Sequence, residues 1–160
     1  MNDDAGGWTD EDDASVEYEA LPAWHPSLFV DVFRTALATE PSELRNAFLA
    51  QAFVTPESVE AWGDFSRAEA LFASGLRISM TAFFPSDDVR DVAYVRLVET
   101  TEHRSPSLAD VPATAHATLV WRPELVGMPE SSWRIHHLGF PVAPDLLPRT
   151  APGVDPSKPA

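Results

Sequence analysis

Three histidines between Ala115 and Gly139 are the residues of this chain best suited to chemistry: His116, His136 and His137. Imidazole titrates near neutral pH, so it can act as a general acid or base, and its neutral form ligates metals. Their roles depend on register. The stretch reads as two strands, 115–122 and 133–139, because aromatic and β-branched residues alternate between turn formers, with Pro123, Gly127 and Pro129 in the connecting loop. If the apolar sets share a face, Ala115, Ala117, Leu119 and Trp121 align with Trp133, Ile135 and His137, while His116, Thr118, Val120 and Arg122 share the other face with Arg134, His136 and Leu138.

That register sets His137 in a core wall between Ile135 and Gly139. There it could work as an acid or base if a carboxylate such as Asp64 or Glu99 reached it. The alternative is a core histidine hydrogen-bonded to backbone. His116 and His136 become diagonal neighbours on the opposite face, yet two ligands without a third do not make a metal site, so no metal is expected. His25 and His103 fall in loops.

A second set suits binding. Tyr94 and Arg96 share a strand face and could orient an anionic ligand, or simply pair across strands. Trp62, Trp121 and Trp133 could line an apolar pocket, although large aromatics on core faces are more often core.

Composition removes several classes. Cysteine is absent, which excludes thiolate metal sites and thiol nucleophiles. A formal charge of -14 argues against direct nucleic-acid binding, which needs clustered Lys and Arg, and favours a basic partner. The chain contains no H-E-x-x-H, G-x-S-x-G, P-loop or G-x-G-x-x-G sequence. No cofactor is expected. No apolar run has the length of a membrane span and the start is acidic, so a cytoplasmic protein without membrane attachment is expected.

The elements that must position these residues follow from periodicity. Residues 1–23 carry Asp3, Asp4, Asp10, Glu11, Asp12, Asp13, Glu17 and Glu19 with no basic residue, the composition of a disordered acidic arm. From Ser27 the pattern is helical, with Val30, Phe33 and Leu37 in register. A second helix should open near Ser42 and bury Leu44, Phe48 and Ala52. A third should run from Pro56 to Trp62, stopped by Gly63. A fourth should carry Ala68, Leu71 and Phe72, closed by Gly75 in a left-handed turn. After Gly75 the period becomes two, giving strands from Leu76 to Phe84 and from Asp91 to Thr101. The prolines after Phe140 predict an extended strap to Leu147, then a disordered Pro-rich tail over 148–160.

This division leaves one α+β domain over 24–147, with N-terminal helices packed on a C-terminal antiparallel four-stranded meander. The order of helices followed by a curved meander resembles the NTF2-like, or SnoaL-like, fold, in which helices and sheet enclose a pocket as a cone. The resemblance spans roughly Trp24 to Phe140, rests on element order, and carries no catalytic residue across. It implies a module that holds a protein partner or a small apolar ligand on its sheet face or in a partial cone. A homodimer through the sheet face is a related expectation. The alternatives are a small acid–base enzyme built on His137 and an acidic decoy of a basic partner.

Overall fold

The computed structural model describes residues 21–99, 113–125 and 131–158. The acidic residues of the N-terminal arm lie outside them. Four α-helices precede four strands: α1 Pro26–Leu37, α2 Glu43–Ala52, α3 Val59–Trp62, α4 Ser66–Ala73, then β1 Arg77–Phe83, β2 Val92–Val98, β3 Ala115–Trp121 and β4 Trp133–Gly139. The strands form one antiparallel sheet in the order β1-β2-β3-β4. The α+β meander is therefore as the periodicity predicts. No helix among the described residues is long and apolar enough to cross a membrane.

The first two helices start where a side chain meets their free amides. His25 caps α1, its Nδ1 accepting from Ser27 N at 3.1 Å. Ser27, the expected cap, is instead buried and donates from its hydroxyl to Ser79 O at 2.8 Å, tying α1 to β1. Ser42 caps α2 through Arg45 N. Gly75 closes α4 at φ 91°, a conformation that L side chains rarely adopt.

One face of the sheet packs on the helices. Val30, Phe33, Leu49, Phe53 and Phe65 meet Ala93, Val95, Leu97, Ala117, Leu119, Trp133 and Ile135 in a continuous core. Of the expected buried face of α2, Ala52 is in the core and the other two residues are not. Leu44 and Phe48 are 83 % and 44 % exposed, whereas Arg45 and Leu49 point inward. Arg45 is turned in because it serves the end of α1, donating to Leu37 O at 3.0 Å and pairing with Glu69.

The second face also is covered. Residues 140–158 cross it as a strap, with Leu147 packed on Val92, Tyr94 and Val120. Polar ties hold it down. Tyr94 donates its hydroxyl to Val142 O at 2.7 Å, Val142 N donates to Thr118 Oγ1 at 3.1 Å, and Arg149 grips Asp91 through Nε and Nη2 at 2.9 and 2.8 Å. Residues 148–158 thus correct the expectation of a loose tail, because Arg149 and the buried Ala151 anchor a segment whose prolines have little conformational freedom to lose.

Candidate functional site

A single extra residue in β4 decides where the histidines go. In the β3–β4 ladder Thr118 faces His137 and Leu119 faces Ile135, so His136 has no partner and forms a β-bulge. Beyond the bulge every side chain changes face. Leu138 takes the core position opposite Ala117, and His137 moves to the second face, where it is exposed. The core-wall placement of His137 is thereby corrected. Neither carboxylate suggested for it arrives: Glu99 is exposed, and Asp64 spends its Oδ1 on Ser66 N at 3.0 Å. His116 faces Gly139, so the pairing of His116 with His136 is lost as well.

His136 is the residue brought into a built environment. The chain at 53–55 runs beside β4, with Ile135 N donating to Phe53 O at 2.8 Å and Thr55 N donating to Ile135 O at 3.1 Å. This sets Thr55 Oγ1 at 2.7 Å from His136 Nδ1. Beyond it Thr55 Oγ1 lies 2.6 Å from Ser58 Oγ, Ser58 Oγ lies 2.9 Å from Thr55 O, and Trp62 Nε1 donates to Ser58 Oγ at 2.9 Å.

The protons of this chain can be placed in two ways. If the Ser58 hydroxyl donates to Thr55 O and the Thr55 hydroxyl to Ser58 Oγ, the bond to His136 uses the imidazole's own Nδ1–H; if Ser58 donates to Thr55 Oγ1 and Thr55 to Nδ1, the imidazole carries its proton on Nε2. In either case Nε2 has no partner among the described residues. Burial pushes the imidazole below its ordinary value, repulsion from His137 adds to this, and the nearby Glu57 opposes it.

The ring borders a cleft of about 340 Å³ between the helices and the end of the sheet. Its walls are Trp62, Ala68, Leu71 and Leu138, with Arg67, Thr114 and the exposed His137 also on its lining. Arg67 is exposed and has no ion pair or hydrogen bond among the described residues. The volume falls in the range of about 300 to 1,000 Å³ usual for ligand sites. A larger cavity of about 560 Å³ lies between the end of α1 and α4. Its charged groups are already matched, Arg45 with Glu69 and Arg34 with Asp31, which leaves little there to recognise a ligand.

The remaining sequence candidates serve the fold. Tyr94 anchors the strap through its hydroxyl. Arg96 faces His116 across the β2–β3 ladder. Trp121 and Trp133 form an edge-on pair with ring centroids 5.1 Å apart, and Trp133 is fully buried. They are wall and core, away from the cleft lining. Among the described residues no group of three or more potential metal ligands is present. Comparison with protein families, curated proteins and solved structures finds no match.

The depressed affinity of His136 for protons predicts a pH dependence. The folded state holds the proton less tightly than the unfolded chain, whose value is about 6.5. Stability from this group is fully present above about 6.5 and is lost as pH falls from there through the folded value. His25 and His116, also lowered by burial, act in the same direction. Urea midpoints should therefore fall between pH 7.5 and 5.5 as orders of magnitude for histidine titration suggest, about one pH unit either side of its ordinary value. In His136→Asn the fall should be smaller; an equal fall would show that His136 titrates like an unfolded histidine.

Proposed function

We propose that this domain is a binding module that holds a small ligand in the cleft between α3, α4 and the end of β4. The observation that carries the reading is the His136 imidazole, held at Nδ1 by Thr55 and with no partner for its other nitrogen among the described residues, beside a cleft of ligand size. Trp62 lends its ring to the wall while its N–H is spent on Ser58, so it offers an apolar surface. The NTF2-like resemblance, itself a proposal on element order, would also put a ligand between helices and sheet.

An acid–base enzyme is the second reading, with His136 in place of His137 as the base. The free ring nitrogen of His136 at the cleft favours it, since acid–base chemistry needs a titrating nitrogen within reach of the substrate. Binding is preferred because no carboxylate is among the described residues that line the cleft, and acid–base turnover commonly pairs two titrating groups.

The test is an NMR titration of the full chain with a library of small aromatic and aliphatic fragments. Shifts should converge on Trp62, Leu71 and Leu138, and Leu71→Trp, which fills the cleft, should abolish them. Shifts spread over the surface, or binding that survives Leu71→Trp, would overturn the reading. If a bound fragment is also transformed, His136→Asn should lower the rate by about 10² to 10⁴.

A further inference from the structure

We infer that the buried Nε–Nη2 edge of Arg134 is a carboxylate-binding site, filled by a small carboxylate from solution or by an acidic side chain of residues 1–20 of the same chain. Arg134 is not on the lining of the cleft, so this site stands whether or not the cleft binds a ligand.

Arg134 leaves β4 on the second face, opposite Val120 of β3, and is fully buried. Only one of its nitrogens is used. Nη1 donates to Ser131 O and to Trp133 O, both at 2.8 Å, whereas Nε and Nη2 are shielded from water and meet no acceptor. A guanidinium stays charged at any accessible pH, so burying one without an anion is among the costliest arrangements a fold can hold. The acids at the end of β3 are already committed. Glu57 takes Arg122 Nη1 and Nη2 at 2.9 and 3.3 Å, and Glu124 divides its oxygens between Arg122 Nε at 2.6 Å and the Thr150 hydroxyl at 2.7 Å. Burial, and then repulsion from Arg122, push the Arg134 guanidinium below its ordinary value, with Glu124 opposing them.

The donors that are left choose the acceptor. The Nε–H and one Nη2–H of a guanidinium point the same way, a parallel pair that matches the two oxygens of one carboxylate. Arg149 shows that fit in the same fold, holding the buried Asp91 through Nε at 2.9 Å and Nη2 at 2.8 Å. Arg134 presents the same edge, with no carboxylate on it among the described residues. The chain has acids to offer. Residues 1–20 carry eight, and they join the fold beside the start of β4, where Trp133, the neighbour of Arg134, donates its indole N–H to Trp24 O at 2.6 Å.

Formate, acetate and chloride at one ionic strength are the probes, and the arginine Nε–H resonances of the full chain are the readout. Arg149 Nε–H, held by Asp91, should ignore all three. If the carboxylate comes from solution, Arg134 Nε–H should move to saturation with formate and acetate, and urea midpoints should rise with their concentration more than with chloride. Arg134→Lys keeps the charge and loses the fork, so it should weaken formate binding about tenfold or more. If the carboxylate comes from the chain, Arg134 Nε–H should resonate near that of Arg149 from the outset and ignore formate. It should then move, and begin to answer formate, when the eight acids of residues 1–20 are replaced by Asn and Gln. An Arg134 Nε–H indifferent both to formate and to loss of those acids would overturn the inference. So would chloride acting as strongly as formate, since a single-centre anion gains nothing from parallel donors. The titration of the unaltered chain decides this even where Arg134→Lys fails to fold.

Discussion

Replacing Trp133 by alanine is expected to cost about 3 to 5 kcal/mol, the range for truncating a large buried aromatic. Trp133 opens β4, is fully buried, and packs edge-on against Trp121. Its indole N–H also donates to Trp24 O at 2.6 Å, closing the chain before α1 onto the sheet. Truncation thus opens a cavity in the core and strands a carbonyl. Trp133→Phe should cost less, because it refills much of the volume and loses the hydrogen bond, itself about 0.5 to 1.5 kcal/mol. Urea unfolding of the three proteins gives the comparison. A loss below about 0.5 kcal/mol for the alanine variant is the behaviour of a surface position and would place Trp133 outside the core.

The helices and strands were legible because each announces itself locally. Ser42 and Pro56 mark starts, Gly63 and Gly75 mark stops, and alternation after Gly75 marks the sheet. What was not legible depends on contacts distant in sequence. Periodicity ranks Leu44 and Phe48 above Arg45 for burial, yet the free carbonyls at the end of α1 draw Arg45 inward. Proline content argues for a loose end after Leu147. It cannot show that Asp91, in another part of the chain, is waiting as a buried counter-charge.

The site failed in the same way, by one residue. Alternation along Trp133, Ile135 and His137 is intact in the sequence, and a bulge leaves no mark when both candidates are histidine. The position of the bulge depends on the chain at 53–55, which bonds Ile135 from the side and offers Thr55 to the residue that follows. Imidazole chemistry at this point of β4 could be read from composition. Which ring is held by the fold could not, since the hydroxyl that meets it comes from a turn about eighty positions earlier.

Arg149→Met is expected to destabilise by about 3 to 5 kcal/mol, because it leaves a buried charge without its partner. Asp91 is fully buried and its two carboxylate oxygens each accept from Arg149, at 2.8 and 2.9 Å. Taking away the cation leaves the desolvated carboxylate in place, which costs more than the pair was worth. The double variant Asp91→Asn with Arg149→Met should therefore recover part of the loss, and the two changes should not add. A double variant as unstable as the sum of its parts would mean that the two side chains act independently. Because Leu147 and Val142 are the strap's apolar contacts with the second face, amide exchange locates the damage. Protection at Val142, which donates to Thr118 Oγ1, should fall towards that of an exposed segment, while Val95 and Leu119 in the central strands keep theirs relative to the global stability of the variant. Uniform loss across strap and sheet would show instead that the strap unfolds only with the whole domain, making Arg149 part of the global core rather than the fastening of a separable cover.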